Sequence, residues 1–504
     1  MGTVFRPSWK SAVKGIGATL SLVIFASLPG CASGPQPGPT AIPLRPTETA
    51  DFEVADIEAL MTQMVDAGAP AVFVEIRDGE HAWSGAKGIR SKKTELPATV
   101  TDPVRIASLS KPMIAAILLQ LVEEGRVQLG DRIEDYLPGV VGGREVTVRQ
   151  LLNHSSGLPD YVPTLMPEDP TQLSTRIVTP VTNAELVENA QSQEWSFEPG
   201  TGFEYSNTNY IVITMLIEEL TGSTLAEELA IRITEPLELT TTSLPDGTAM
   251  PENAAHGYIT EGALSIDVTA QDASLWSGAG GVVSTVSDVN TFMRALLTGQ
   301  VIAPELLGEM LVLLPEGYGL GVQSRTDQCP DAEPVYLESS ANKAGIPGAS
   351  DGADAGDEPG ATLDTDAPSA SEAPTHGGET APPDASAPPT QAGETGPPDA
   401  SVPRQSDPSA TATPLPTYDF AAPESGSGSL HDSAFGELVQ IGAPRHVYGH
   451  IGSGLGYRGI TMSSPDGMRQ VTVLWTISPT DYAQDARLDL AYELTDVALT
   501  INCP

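Results

Sequence analysis

The amino-acid sequence predicts an α+β domain that is interrupted by a long disordered insert. Three observations support this prediction. Strand-like segments occur near both ends of the folded region, several helical segments lie between them, and a break in composition over residues 338–433 separates the last strands from the rest. Strands separated in this way must be assembled into one sheet from distant parts of the chain.

The first thirty residues are predicted to be a signal peptide rather than part of the fold. A basic start is followed by an apolar stretch over residues 16–28 and by small residues before Cys31. This stretch is shorter than the ~20 residues that a membrane-spanning helix needs. The ending LPGC resembles a bacterial lipobox, which predicts that Cys31 carries a lipid and anchors the protein to the bacterial membrane outside the cytoplasm. Ordinary cleavage of a secreted protein is the alternative.

A proline-rich tether is predicted over residues 31–50, followed by a folded domain over 51–337 and 434–504. The segment FEVADIEALMTQMVDAG has helical apolar spacing, and PAVFVEIRDGEHAWSGAKGI is predicted to form two strands joined at Asp78-Gly79. MIAAILLQLVEEG and NYIVITMLIEELTG are typical of helices that end at a glycine. The segment GYGLGVQ, from Gly317, is predicted to be a strand.

The insert over residues 338–433 consists mostly of Ala, Pro, Gly, Ser, Thr and Asp, and contains near repeats that start at Gly378 and Gly393. With so few apolar side chains it cannot bury enough surface to offset the entropy of ordering, so we expect disorder. A solvated spacer and a specific binding segment are both compatible with this composition.

The charge of the chain limits its partners. The formal net charge is -41 and the pI is near 4.2. A surface of this sign repels phosphate-rich polymers, so a nucleic-acid partner is disfavoured.

Three cysteines are present, at positions 31, 329 and 503. If Cys31 carries a lipid, then Cys329 and Cys503 remain as a pair in an oxidising compartment, where a disulfide between them is plausible. Two buried, reduced thiols are the alternative.

A candidate nucleophile occurs in the segment RIASLSKPMI, where Ser108 and Lys111 are three residues apart at the start of an apolar helical run. Residues at this spacing share a helix face, so the Lys111 amine can reach the Ser108 oxygen. The start of a helix also favours a developing negative charge. An ordinary helix cap with a solvated lysine is the alternative.

Two further segments carry candidate site residues. FEPGTGFEYSNTNY places Tyr205 and Asn207 two residues apart before a helix. A phenol beside an amine can share its proton, and a nearby cation is expected to favour the phenolate, although a surface-loop tyrosine is the alternative.

The segment YGHIGSGLGYRG contains His450, Gly452 and Ser453. Gly452 would allow close approach of a substrate, so that the N–H groups of Ser453 and Ser108 could hold an oxyanion. A glycine-rich turn and a metal pair formed by His446 and His450 are alternatives, although no carboxylate or cysteine lies at ligand spacing beside these histidines.

In this order, the three elements resemble the serine β-lactamase and D-alanyl-D-alanine carboxypeptidase superfamily, specifically its class C-like branch. The pattern there is Ser-x-x-Lys, then Tyr-x-Asn, then Lys/His-x-Gly. The resemblance covers about residues 51–328 and 434–504. Further matching segments are LLNHSSGLPDY from Leu151, FEPGTGFEYSNTNY from Phe197, GAGGVVSTVSDVNTFMRALLTG from Gly278 and GYGLGV from Gly317.

The resemblance implies an antiparallel sheet flanked by helices, an all-helical subdomain and a site at their junction. Ser108 would be the acylated nucleophile, and Lys111 and Tyr205 would relay its proton. Asn207 would bind Lys111 and the substrate amide, and His450 would stand where other members carry a lysine. Such sites need no metal or organic cofactor, and we expect a monomer.

Three functions remain open. The first is a serine hydrolase of peptidoglycan stem peptides, and the second is a hydrolase of another small ester, amide or β-lactam by the same mechanism. The third is a non-catalytic penicillin-binding or cell-surface interaction protein. The presence of Ser108, Lys111 and Tyr205 together argues against the third function, because a binding module would not need all of them.

Ile451 departs from the family pattern, because many members carry a hydroxyl residue there that helps to bind the terminal carboxylate of the substrate. If Ile451 faces the pocket, neutral short-chain esters should be turned over better than acyl-D-Ala-D-Ala peptides. The alternative is that Ile451 points into the sheet and that Ser453 or Arg458 holds the carboxylate.

Overall fold

The structure is a computed structural model that describes residues 43–46, 48–49, 54–167, 172–261, 264–329, 334–338, 438–442, 445–479, 485–501 and 503. The predicted signal peptide, Cys31, most of the tether and the predicted disordered insert beyond Glu338 lie outside these residues. Within the described ranges, no helix has the length and apolar character needed to cross a membrane.

The helices and strands alternate irregularly along the chain. The strands are β1 (Glu48–Thr49), β2 (Ala71–Asp78), β3 (His81–Gly88), β4 (Val104–Arg105), β5 (Tyr258–Glu261), β6 (Leu264–Asp267), β7 (Val283–Ser284), β8 (Gln323–Thr326), β9 (Val335–Glu338), β10 (Leu438–Ile441), β11 (His446–Gly454), β12 (Tyr457–Ser463), β13 (Arg469–Trp475) and β14 (Ile477–Pro479). The α-helices are α1 (Ala55–Asp66), α2 (Lys111–Glu123), α3 (Val148–Leu152), α4 (Val162–Leu165), α5 (Leu173–Arg176), α6 (Asn183–Gln191), α7 (Thr208–Thr221), α8 (Leu225–Leu229), α9 (Ser277–Gly280), α10 (Val286–Leu297), α11 (Pro304–Met310) and α12 (Ala486–Thr500). Single-turn 3-10 helices occur at Ala107–Ser110, Ile133–Asp135 and Ala273–Leu275, and a π-helical turn at Ala230–Thr234.

The main sheet has seven strands in the order β1-β3-β2-β13-β12-β11-β8. Every pairing in it is antiparallel except that of β1 with β3. The neighbours β2 and β13 come from opposite ends of the domain, with Glu75 opposite Thr472. Residues 71–77 of β2 are all buried, as expected for a mostly apolar strand that is covered on both faces. The predicted sheet built from distant segments is therefore confirmed.

Helices cover both faces of the sheet. Helices α1 and α12 pack on one face, where Ile57, Val473 and Leu494 belong to one hydrophobic cluster. The opposite face contacts α10 and a larger helical group, whose centre is formed by α2 and α7. These two helices bury long apolar runs, and α7 ends where Gly222 adopts a φ of 74°, a conformation that glycine reaches without strain. The predicted helical subdomain beside the sheet is thus present.

The segment GYGLGV does not form the predicted strand, and β8 begins only at Gln323. Gly321 has a φ of 84°, and a Cβ atom there would lie 2.5 Å from the Cβ of Ala115 on α2. The chain therefore turns closely against the start of α2, and the prediction of a strand over 317–322 is wrong because packing against this helix requires a turn.

The described part of the tether contacts the folded domain. The buried Arg77 donates to the carbonyl oxygen of Leu44 at 2.9 Å, and Arg294 donates to that of Pro43 at 3.0 Å. Arg77 also donates to the carboxylate of Glu75 at 2.7 Å. We call these five residues the N-terminal clamp; they tie the chain around residue 44 to the sheet and α10.

The insert leaves the domain through a short ladder. β9 and β10 pair antiparallel, with Glu338 opposite Leu438 and Val335 opposite Ile441. We call this ladder the insert stem. The strands that flank the insert are thus paired with each other, so the stem joins the part of the folded domain before the insert to the part after it.

Candidate active site

The candidate nucleophile lies between the sheet and the helical group. Ser108 is in the single 3-10 turn that connects β4 to α2, and only 8% of its surface is exposed. This turn is tight: Ala107 has a φ of 49°, and the Ser110 hydroxyl donates to the Ala107 carbonyl at 2.7 Å. The turn presents Ser108 directly before the first residue of α2.

Lys111 is fully buried beside the nucleophile. Its Nζ lies 3.1 Å from the Ser108 Oγ, 2.9 Å from the Asn207 Oδ1 and 2.6 Å from the Ala279 carbonyl oxygen. Burial lowers the pKa of Lys111 from 10.5 to about 7, and the charge of Asp160 partly opposes this shift.

The geometry around Lys111 suits a general base. A neutral amine has two N–H donors and one lone pair. The amide oxygen of Asn207 and the carbonyl oxygen of Ala279 can only accept, so they take the two donors. The lone pair is then left for the hydroxyl hydrogen of Ser108, and Lys111 can remove that proton near neutral pH.

Tyr205 completes the contacts of the nucleophile. Its hydroxyl donates to the Ser108 Oγ at 2.9 Å. Burial of the phenol raises the pKa of Tyr205 well above its ordinary value, so the expected phenolate is wrong and the group is a neutral donor. The ring of the buried His154 lies 4.3 Å from the Tyr205 ring, measured between centroids, and the Ser206 N–H donates to the His154 Nδ1 at 3.2 Å. This contact fixes the loop that carries Tyr205.

The backbone near Ser108 supports the expected oxyanion hole. A Cβ atom on Gly452 would lie 2.7 Å from the Ile106 carbonyl oxygen and 3.3 Å from the Ser108 nitrogen, so this position requires glycine. The Ile451 N–H donates to the Gln323 side chain at 3.0 Å on the edge of β11 that faces β8. Successive N–H groups of a strand alternate between its edges, so the Ser453 N–H lies on the same edge, beyond the last β8 pair at Gly449. It is therefore available to a substrate beside Ser108.

His450 is fully buried on β11 and has two fixed partners. Its Nδ1 lies 2.6 Å from the Ile451 carbonyl oxygen and therefore carries the proton, which leaves Nε2 to accept from the Tyr318 hydroxyl at 2.9 Å. Burial is the largest cause that lowers the pKa of His450 to about 3, and the Lys111 charge adds to it. His450 is thus uncharged where other members have a lysine.

The side chains of Ile451 and of Arg458, which was considered as a carboxylate-binding residue, face away from the site. Ile451 packs on the hydrophobic cluster under α1 and α12, so the expectation that it faces the pocket is wrong, and the first part of the alternative, that it points into the sheet, is confirmed. Arg458, paired with Ser453, is buried with a nitrogen 3.6 Å from the Asp485 carboxylate. Side chains alternate between the two faces of a strand, and directly paired residues share a face. Ile451 and Arg458 therefore lie on the face of the sheet opposite to that of Gly452.

The remaining predicted positions can be placed or excluded. Cys329 and Cys503 form a disulfide with a Cα–Cα distance of 5.5 Å, whereas Cys31 lies outside the described residues. His446 and His450 are four positions apart on one strand, about 13 Å at ~3.3 Å per residue, so they cannot share a metal ion. In the described part of the chain, no cluster of histidine, cysteine and carboxylate side chains could hold a metal ion.

Sequence reasoning missed four contributors to the site: the Ala279 carbonyl group, Asp160, His154 and Tyr318. Three of them lie in LLNHSSGLPDY and GYGLGV, segments that were matched to the family, or predicted to form a strand, without a role for these side chains. Their positions beside Lys111 and Tyr205 depend on tertiary packing. The backbone oxygen of Ala279 carries no side-chain signal at all.

The fold and the contacts among Ser108, Lys111 and Tyr205 define a class of serine hydrolases that work through an acyl-enzyme. The Beta-lactamase family model matches residues 57–347, more than half of the chain. The chain therefore belongs to the Beta-lactamase family.

Individual proteins similar to this chain agree with that assignment. A D-aminopeptidase from Brucella anthropi is 29% identical over 242 residues, which is 47% of this chain and 45% of that protein. The chain spans less than two thirds of the length of the curated relatives it matches.

Solved structures show the same fold at lower identity. The D-amino acid amidase from Ochrobactrum anthropi SV3 has a TM-score of 0.59 at 20% identity, covering 88% of this chain and 97% of that chain. A penicillin binding protein from Bacillus halodurans has a TM-score of 0.53 at 16% identity, covering 86% and 98%.

Proposed function

We propose that this protein is an extracytoplasmic serine hydrolase that forms an acyl-enzyme on Ser108 and acts on small amides or esters with an uncharged leaving group. The observation that carries the proposal is the neutral wall formed by Tyr205, Tyr318 and His450 beside the nucleophile. In the described contacts of these three residues, the cationic side chain is that of Lys111, and Lys111 is already used as the base.

The catalytic steps follow from the contacts. Lys111 takes the proton of Ser108, whose oxygen attacks the substrate carbonyl carbon. The N–H groups of Ser108 and Ser453 bind the resulting oxyanion. Tyr205, which is hydrogen-bonded to the same oxygen, donates a proton to the leaving group and recovers one from protonated Lys111. Water then attacks the acyl-enzyme. The proton that it loses passes through Tyr205 and Lys111 back to the Ser108 oxygen, which leaves as the free hydroxyl.

The position of Tyr205 also argues for the class of leaving group. The group that receives its proton must lie next to the phenol, and therefore against Tyr318 and His450. A carboxylate there would be desolvated beside three neutral side chains, which is unfavourable without a cation. The net charge of the chain adds repulsion. Amides of D-amino acids fit this wall, and two proteins similar to this chain have names that mention D-aminopeptidase or D-amino acid amidase activity.

A carboxypeptidase acting on peptidoglycan stem peptides is the second candidate. It is favoured by relatives whose names mention penicillin binding and by the extracytoplasmic location that we propose from the N-terminal sequence. The disulfide between Cys329 and Cys503 suits an oxidising compartment.

Substrate kinetics and labelling test the proposal. We expect kcat/KM for D-phenylalanine amide or p-nitrophenyl acetate to exceed that for an acyl-D-Ala-D-Ala peptide. A fluorophosphonate probe should modify a peptide containing Ser108, as seen by mass spectrometry, and Ser108→Ala should abolish the adduct. Ser192→Ala, at the end of α6, serves as the matched control and should label normally. Labelling that persists in Ser108→Ala would exclude the nucleophile, and a preference for the D-Ala-D-Ala peptide would exclude the neutral leaving group.

The proposed location has a separate test. Cys31→Ser should move the protein from the membrane fraction of a bacterial host to the soluble extracytoplasmic fraction. An unchanged distribution would contradict anchoring through a lipid on Cys31.

A further inference from the structure

Asp160 contacts the site without touching the nucleophile. It lies in the loop before α4, partly buried. Its Oδ1 accepts from the Val162 N–H at 3.2 Å and from the Asn207 N–H at 3.3 Å. Its Oδ2 accepts from the side-chain amide of Asn207 at 3.0 Å.

These contacts determine how the Asn207 amide is turned. An ionised carboxylate can only accept hydrogen bonds, so it must face the NH₂ end of the amide. The amide oxygen then points to the other side, where it lies 2.9 Å from the Lys111 Nζ. Asp160, Asn207, Lys111 and Ser108 thus form one continuous chain of hydrogen bonds.

We propose that Asp160 is a positioning residue of this site, which fixes the orientation of Asn207 toward Lys111 and supplies a negative charge behind the base. The inference rests on the proposed function, because it assigns Asp160 a part in the same proton transfer. It deepens that function by adding a fourth member to the group of Ser108, Lys111 and Tyr205.

The charge has a definite direction of effect. Burial lowers the pKa of Lys111 to about 7, and Asp160 acts in the opposite direction. Burial also lowers the pKa values of His154 and His450, so both are uncharged near neutral pH, and it raises those of Tyr205 and Tyr210, so both stay protonated. The titratable groups that face Lys111 in the described residues are Asp160, His154, His450, Tyr205 and Tyr210. Burial raises the pKa of Asp160 as well, and the hydrogen bonds from Val162 and Asn207 and the charge of Lys111 oppose this shift. Because each of these hydrogen bonds is donated to the carboxylate, as an ionised group requires, we assign the negative charge in this set to Asp160.

Asp160→Asn removes the charge and also reverses one hydrogen bond. An asparagine that keeps its oxygen toward the Val162 N–H would present NH₂ to the NH₂ of Asn207, and two donors repel. The Asn207 amide must then rotate, and Lys111 loses an acceptor. Both effects make the protonated form of Lys111 less stable.

The experiment is a titration of Lys111 by NMR in the full chain labelled with [¹³Cε]lysine, with Lys111→Ala used to assign the signal. We expect a midpoint near 7 in the wild type and a lower midpoint in Asp160→Asn. Asp288→Asn is the matched control, because Asp288 is a buried carboxylate that caps residues 241–242 away from the site. It should leave the midpoint unchanged.

Three additional measurements keep the test decisive. If Asp160→Asn does not fold, Asp160→Ser removes the charge and retains an oxygen for the Val162 N–H, and the same lower midpoint is expected. Asp160→Glu keeps the charge and should return the midpoint toward the wild-type value. In Asp160→Asn, the rise of kcat/KM with pH should occur at lower pH, because the pKa of Lys111 is lower. The maximum value of kcat/KM should also be reduced.

An unchanged Lys111 midpoint in the folded charge-removing variant would overturn the inference, as would an equal shift in Asp288→Asn. Because the NMR titration needs no substrate, it remains readable if Ser108 is not labelled by the probe. Failure of the proposed function and failure of this inference are therefore distinguishable.

Discussion

Lys111 in the active site and Arg77 in the N-terminal clamp are both buried cationic side chains, with exposures of 0% and 1%, but their partners differ. Arg77 contacts the carboxylate of Glu75 and backbone carbonyl oxygens. Lys111 contacts an amide, a carbonyl and a hydroxyl oxygen, all of them neutral. A guanidinium keeps its proton in such surroundings, whereas a buried ammonium without a carboxylate at contact distance loses it readily. The first arrangement stabilises the fold, and the second produces a base.

The largest expected effect comes from making Lys111 resemble Arg77. Lys111→Arg places a permanently protonated group beside Ser108, so kcat/KM should fall by about 100- to 10,000-fold, the usual contribution of a general base. In the wild type, kcat/KM should rise with pH through about 7, because the active form of Lys111 is the neutral amine. Steady-state kinetics between pH 5 and 9 measure both. Lys92→Arg, at an exposed position, is the control; a Lys111→Arg variant with full activity would remove Lys111 as the base.

The second prediction removes the clamp cation. Arg77→Met leaves Glu75 buried without its partner, which should lower the free energy of unfolding by about 3–5 kcal/mol. Denaturant unfolding measures this change, and kcat of the folded fraction should stay near the wild-type value. Arg45→Ala, which breaks a half-exposed ion pair to Asp288, should have an effect below about 1 kcal/mol. Equal effects in the two variants would show that the clamp does not depend on buried charge.

The third prediction concerns the disulfide between Cys329 and Cys503, which lies beside a third cationic side chain, that of Arg469. Arg469 contacts the Asp327 carboxylate and the Cys329 sulfur. Replacing both cysteines by serine removes a crosslink across 174 residues, which should lower stability by at most about 5 kcal/mol while leaving the site geometry intact. Thermal unfolding with and without reductant measures the loss. Peptide mapping without reductant that found two free thiols would contradict it.

The smallest expected effect on stability is that of shortening the insert, which belongs neither to the active site nor to the N-terminal clamp. Replacing residues 339–437 by a two-residue Asn-Gly turn on the insert stem should not lower stability and should raise it by at most about 3 kcal/mol, because each halving of the loop length saves only ~0.6 kcal/mol of closure entropy. Activity should also be retained. A large fall in the melting temperature would mean that the insert packs on the domain.

Local patterns were sufficient for much of the fold. The helical spacing of α1, the strand pair β2–β3 and the glycine that ends α7 are short-range features, and each was predicted from its own segment. The site residues Ser108, Tyr205 and His450 were found because their types and order match a family pattern.

The remaining features depend on packing between distant segments. The glycines of GYGLGV are compatible with a strand or a turn, and only the proximity of Ala115 requires the turn. Asp160 and Tyr318 acquire their roles through contacts with Asn207 and His450, which are far away in sequence. The direction in which Ile451 points depends on the phase of β11, and a single hydrophobic residue does not determine that phase.

The position of the insert between the two halves of the site has a consequence for proteolysis. Ser108, Lys111 and Tyr205 precede the insert, whereas Ser453 and His450 follow it. A protease that cuts within residues 339–437 therefore divides the catalytic groups between two polypeptides. These remain paired through β2 and β13, and the Cys329–Cys503 bond joins them covalently. We expect such a nicked protein to remain a two-chain hydrolase that migrates as one species without reductant and separates into two inactive fragments when it is reduced and unfolded.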